Sequence, residues 1–151
     1  MKHEVTRLAF RPERITTLFV GESVPKNGKF IYDGGTMMER HMQAGTAVPL
    51  AEFKARGWYI DDLVLTPVDQ MSYNSRERKA ACAAARDSLA QRIAEYRPEA
   101  IVVLQRSISA DVVAAVAMAR SDAKVYHVRF PGNGQQGNFK SDMEAILPLL
   151  P

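Results

Sequence analysis

The stretch ITTLFVGES, residues 15–23, decides how the rest of the chain is read. Its first six residues are apolar and mostly β-branched, with no polar alternation, and Gly21 stops the run. Such a run fits a strand buried on both faces. A strand of that kind needs cover above and below, so the segments around it are expected to supply helices.

Working outward, they do. TMMERHMQA (36–44) is amphipathic, and VPLAEFKARG (48–57) places Pro49 at a first helical position with Gly57 as a stop. WYIDDLVLTP (58–67) reads as a second strand closed by Pro67. Over 76–96, Ala81, Ala85, Leu89, Ile93 and Tyr96 form one stripe, predicting a single long helix that Pro98 ends. AIVVLQ (100–105) is a third buried strand, and SADVVAAVAMAR (109–120) a helix with Ser109 as its N-cap. KVYHVRF (124–130) is a fourth strand. NFKSDMEAIL (138–147) is a last helix, with Phe139, Met143 and Leu147 at four-residue spacing.

Strands separated by helices imply right-handed crossovers and a parallel sheet covered on both faces. The expected fold is α/β: a three-layer α/β/α sandwich around a four-stranded parallel sheet, formed by one domain spanning 1–151. Length supports one core, since the chain has 151 residues. Hydrophobic and charged fractions of 46% and 25% are those of an ordinary globular protein. Twenty Lys and Arg against seventeen Asp and Glu give +3, which permits a polyanionic partner without demanding one. Cys82 is the only cysteine, so no internal disulfide and no four-cysteine metal cluster can form. Its helical surroundings suit a small buried apolar residue, as Trp58 before the second strand suits the core. Neither a metal nor a cofactor is expected. There is no apolar run of about 18 residues, and MKHEVTRLAFRPER lacks a secretory h-region. A cytoplasmic location and no membrane partner are expected.

In parallel sheets, ligands bind at the carboxyl ends of the strands. The loops to read are therefore 21–32, 66–75, 105–109 and 130–137. The first is not a P-loop: Gly21 and Gly28 are separated by six residues, and Phe30 stands where the magnesium-binding hydroxyl belongs. No G-x-G-x-x-G occurs there either.

Four segments taken together, LFVGES, GWYIDDLVLTPVDQM, AIVVLQRS and VRFPGNGQQGNF, resemble the uracil-DNA glycosylase superfamily over about 17–139. The resemblance implies a base-sized pocket at the strand ends, DNA as partner (single-stranded or lesion-bearing), and removal of a base from a flipped nucleotide. That chemistry builds positive charge on the sugar and negative charge on the leaving base. It calls for a carboxylate beside the sugar, donors beside the base, and a stacking ring.

Matched by position, Gly21, Glu22 and Ser23 fall on the family's first motif, with Ser23 where the best-known branch has its aspartate. Glu22 or Asp33 then supplies the missing carboxylate, or Glu22 merely caps the turn or pairs with a neighbouring cation. Phe30 falls on the stacking aromatic. Asp62 falls on the second-strand asparagine and, accepting only, favours a base that presents amino or imino hydrogens; the alternative is a strand-end acid paired with a basic loop residue. Asp61 is its neighbour, and strand alternation lets only one of the two face the pocket. Phe130, Pro131 and Gly132 stand at the His-Pro-Ser turn, so the electrophilic histidine is replaced by Phe130, a base-binding candidate. His127 reads as an ordinary strand histidine. Pro131, Gly132, Asn133 and Gly134 allow close approach to a DNA backbone, and Gln135 or Gln136 can enter a gap left by a displaced base.

Cations gather on the same loops: Lys26, Lys29, Arg76, Arg78, Lys79, Arg106, Arg129 and Lys140. They are candidates for phosphate contacts, and Tyr73 for an added stacking surface. The expected activity is that of a DNA N-glycosylase without the usual aspartate and histidine. The alternatives are a non-catalytic nucleic-acid-binding module and a pocket for a free base or nucleotide.

Overall fold

The four apolar runs become β1 (Thr17–Ser23), β2 (Trp58–Val64), β3 (Ala100–Val103) and β4 (Lys124–His127). All pairings are parallel, in the order β2-β1-β3-β4. This is a computed structural model, and it describes residues 2–26 and 30–151. Seven α-helices accompany the sheet among the described residues: α1 (Lys2–Ala9), α2 (Met37–Thr46), α3 (Leu50–Arg56), α4 (Arg76–Ala84), α5 (Arg86–Tyr96), α6 (Ser109–Met118) and α7 (Gln136–Ile146). α2 packs on α3 and α7, while α5 packs on α4 and α6, two groups consistent with layers on the two sides of the sheet. No described helix is long and apolar enough to cross a membrane.

β1 is buried along Thr17 to Val20 and β2 along its whole length, as the uninterrupted apolar pattern requires. Trp58 packs edge-on against Phe19 and Phe53 in the core. The helix ends follow local chemistry. Thr36 caps α2 by accepting from the Glu39 amide at 3.1 Å, and Glu39 accepts in return from the Gly35 amide at 3.2 Å. Arg97 takes a left-handed conformation (φ 49°) after α5, just before Pro98.

Four expectations need correction. Gly21 does not stop β1, which continues through Ser23 paired with Val64. What the glycine provides is clearance: a Cβ there would lie 2.7 Å from Asp62 Oδ1. The helix expected over 76–96 is two helices, because the Ala85 amide bonds back to Cys82 at 3.1 Å in a tightened turn that breaks the α-helical ladder. Ser109 is not a cap. It lies inside the first turn of α6, and its hydroxyl bonds His127 Nδ1 at 2.9 Å instead. Finally, α1 arises from a segment expected only to lack a leader pattern.

α1 has a clear task. It delivers Arg7, 1% exposed, to the outer edge of β2. Arg7 donates to the Ile60 carbonyl at 2.7 Å, and the Tyr32 hydroxyl accepts from the Ile60 amide at 2.8 Å. Arg92 of α5 donates to the carbonyls of Asp62 (2.7 Å) and Leu63 (3.0 Å), while Asp61 Oδ1 accepts from the Asp62 amide. Backbone groups of Ile60, Asp62 and Leu63 on this edge strand are thus met by side chains, which obstructs pairing with a further strand there.

Candidate functional site

The strand order fixes where a ligand can enter. The chain leaves β1 toward β2 and leaves β3 toward β4, in opposite directions across the sheet. The connections diverge between the carboxyl ends of β1 and β3, the switch point at which open α/β sheets form their binding crevices. A cleft of about 510 Å³ lies there. Glu22 from the end of β1, Ser107 from the turn after β3, Asp111 of α6, and Tyr73, Arg78 and Cys82 from the α4 side all line it.

Glu22 is the cleft's central acid. Its Oε2 accepts from Arg78 Nε at 2.9 Å and its Oε1 from Arg78 Nη2. Such a fork is the strong form of a carboxylate hydrogen bond. Arg78 also donates to the Met71 carbonyl at 2.9 Å, which fixes the guanidinium against the loop after β2. Cys82 Sγ lies 3.8 Å from Glu22 Oε2. Burial and the nearby Glu22 charge push this thiol up to about 11, which favours the protonated form near neutrality. Across the cleft, Arg86 Nε donates to Asp111 Oδ1 at 2.7 Å. Arg76 and Lys79 also line the cleft, are exposed, and have no ion pair among the described residues. Four cations therefore face two acids, leaving a surplus of positive charge for an anionic ligand.

The other sequence candidates take different places. Ser23 Oγ accepts from the Val68 amide at 3.2 Å, pinning the loop after β2, and so is engaged in structure rather than chemistry. Phe30, the expected stacking ring, is 2% exposed. His3 lies 4.4 Å from it, the Arg7 guanidinium 5.0 Å and Tyr32 6.0 Å, so no face is open to a base. Asp33 is exposed in a short helical turn and does not line the cleft.

Asp62 is also enclosed. Its Oδ2 accepts from Arg7 at 2.9 Å, while Asp61 Oδ2 accepts from Arg92 at 2.8 Å. Burial raises the Asp62 carboxyl above its ordinary range, opposed by the Arg7 charge. Neither Asp61 nor Asp62 lines the cleft; both are buried and both are paired. The partner of Asp62 is a helix arginine, not a loop residue.

The fourth loop closes on itself. Phe130 is half-buried, its ring 3.1 Å from where a Gly132 Cβ would stand, and Pro131 is buried. Asn133 (φ 52°) and Gly134 (φ 80°) form a left-handed turn. Gln135 is occupied at the start of α7: its amide bonds Gly132 O at 3.0 Å and its Oε1 accepts from Asn138 at 2.7 Å. Gln136 is exposed. Arg129 is held by Asp142 through Nε (3.0 Å), Nη2 (2.8 Å) and its backbone amide (2.8 Å), and this holds the Asp142 carboxyl below its ordinary range. Its charge is therefore largely spoken for. Lys26, Arg106 and Lys140 are exposed. Lys29 and Gly28 lie outside the described residues.

The expected site residues are thus not one cluster. Glu22 is in the cleft, joined by Arg76, Arg78, Lys79 and Tyr73. Phe30 and Asp62 belong to the Arg7 cluster, and Phe130 to Gln136 to the loop leading into α7. Ser107, Arg86 and Asp111 were not anticipated. Asp111 stood two residues after a presumed cap, where an acid is expected for the helix dipole alone. Among the described residues, no group of three His, Cys, Asp or Glu side chains is arranged to hold a metal ion. No protein-family model matches the chain, and no curated protein matches it.

Proposed function

We propose that this is a uracil-DNA glycosylase-like protein that binds DNA at the switch-point cleft and hydrolyses the N-glycosidic bond of a damaged or modified base held there. The observation that carries the proposal is a carboxylate, Glu22, fixed by Arg78 in a cleft with surplus positive charge. A carboxylate already gripped by a guanidinium serves as a fixed negative pole. It stabilises positive charge developing on the sugar and accepts from the attacking water. The cations along α4 take the phosphates and stabilise the departing base. The ordered resemblance of four strand-end segments supports the same reading. Because Phe30 and Asp62 are enclosed, base recognition falls to the residues that line the cleft.

Incubation with single-stranded and duplex oligonucleotides carrying a panel of modified bases tests this. Base release is expected from at least one, abolished in Glu22→Gln. Binding is expected to weaken steeply with salt and to drop further in Arg76→Glu with Lys79→Glu. A panel left intact removes the catalytic part; salt-insensitive affinity removes DNA binding.

The cleft volume favours a second reading, since about 510 Å³ is the size of a single small-ligand site. A free nucleotide would then raise the melting temperature without any DNA present. No shift across a broad nucleotide set would eliminate it.

A further inference from the structure

We infer, on the premise that the cleft binds nucleic acid as proposed above, that Tyr73 is its base-stacking surface and that the strand it accepts is unpaired. Tyr73 is 64% exposed, and no other Phe, Tyr or Trp ring among the described residues is as open. An exposed ring alone is ordinary; its setting is not. It lines the same cleft as Glu22. The Arg78 guanidinium lies 5.7 Å from the ring centroid, and that guanidinium also grips Glu22. The backbone beneath is fixed by a closed turn: the Ser75 amide bonds Ser72 O at 3.0 Å, Asn74 is left-handed (φ 59°), and Ser75 Oγ accepts from the Arg78 amide at 3.1 Å. Little backbone freedom remains to lose on binding, which favours a stacking role.

Arg76 and Lys79 follow within the first turn of α4, both exposed and both lining the cleft. A ring beside unpaired cations suits a ligand that presents a π-face next to phosphate. Bare phosphate has no such face, and duplex DNA hides its faces inside the stack, where exposing one carries an unstacking cost. An unpaired base offers it directly.

The test uses the whole protein and three labelled probes: a short single strand of mixed sequence, an abasic strand of equal length, and the duplex. The base-bearing strand is expected to bind tightest. Tyr73→Ala should weaken it about 5- to 150-fold, the span of one stacked base, and leave the abasic strand within about twofold. Tyr73→Phe and Tyr73→Trp should retain binding, and the introduced indole should be quenched by the base-bearing strand alone. Equal affinity for base-bearing and abasic strands, or an unaffected Tyr73→Ala, overturns the role of Tyr73 and leaves DNA binding standing. Tighter binding to the duplex overturns the preference for an unpaired strand. Failure of the wild-type protein to bind any probe overturns the DNA-binding proposal itself, and the stacking role with it. Melting curves of the variants confirm that this exposed position leaves the fold intact.

Discussion

Arg78 donates to both oxygens of Glu22, so the first helix after β2 is tied by its guanidinium to the carboxyl end of β1. The two sides of the cleft are joined through this fork, and Cys82 lines the cleft beside it. Charge and architecture meet in one pair: the bond that sets the acid's position also ties the first turn of α4 to the strand end, while Ser75 caps the helix.

Removal of one partner should therefore cost stability. Arg78→Met leaves the mostly buried Glu22 side chain without its partner and is expected to destabilise by about 2–3 kcal/mol, below the ~3–5 of a fully buried pair. Arg78→Lys keeps the charge but loses the fork, and should cost less. Glu22→Gln combined with Arg78→Met should recover part of the loss, a coupling readable in a denaturant double-mutant cycle. Unchanged unfolding midpoints in all three variants would show the pair to be incidental.

Gly21 should tolerate no side chain. In Gly21→Ala the new methyl meets Asp62 Oδ1, and that oxygen cannot swing aside freely because its carboxylate is held by Arg7. A loss of about 1–3 kcal/mol is expected, in line with overpacking. In an Asp62→Ala background the same methyl has room, so the two losses should be markedly less than additive. Strict additivity by denaturation would contradict the proposed clash.

How much of this was legible in the sequence depended on how local the signal was. The strands at 15–20, 58–67 and 100–105 announce themselves by apolar run, and Gly57 and Pro98 mark real ends. What periodicity could not reveal was pairing at a distance. Arg7 and Asp62 are 55 positions apart, and nothing near Arg7 says that its charge will be buried. Phe30 fitted a motif position, yet His3 and Arg7 of a helix not foreseen cover it. The break at Ala85 is equally silent, because alanine favours a continuous helix and only the tertiary setting bends it. Glu22 and the α4 cations were legible because strand-end position alone places them.

The Arg7 cluster makes a prediction whose sign depends on pH. Arg7→Met leaves the buried Asp61 and Asp62 without their shared cation, at a cost of about 3–5 kcal/mol near neutrality. Loss of that cation removes the charge that opposes the burial-raised proton affinity of Asp62 in the folded state. Folding of the variant then takes up more protons than folding of the wild type, so the deficit should narrow as pH falls toward the ordinary aspartate range. Denaturant unfolding at a series of pH values measures it. A deficit that widened on acidification would mean that Asp62 is not the group left uncompensated.

Cys82 offers the cleanest probe of the cleft's charge. Burial comes first and the Glu22 carboxylate second in pushing the thiol from an ordinary 9.0 to about 11. Alkylation of the native protein by iodoacetamide should consequently be slow at pH 8 and accelerate only as the solution approaches pH 11. Glu22→Gln removes one of the charges that oppose the thiolate, so the midpoint should move down and the rate at pH 8 should rise. The stability consequence has a fixed sign. The folded state favours the protonated thiol, so its contribution is full below pH 9, declines as pH rises toward 11, and disappears in Cys82→Ala. A thiol that reacts at pH 8 as fast in the native protein as in the unfolded chain would place Cys82 outside the shelter of Glu22.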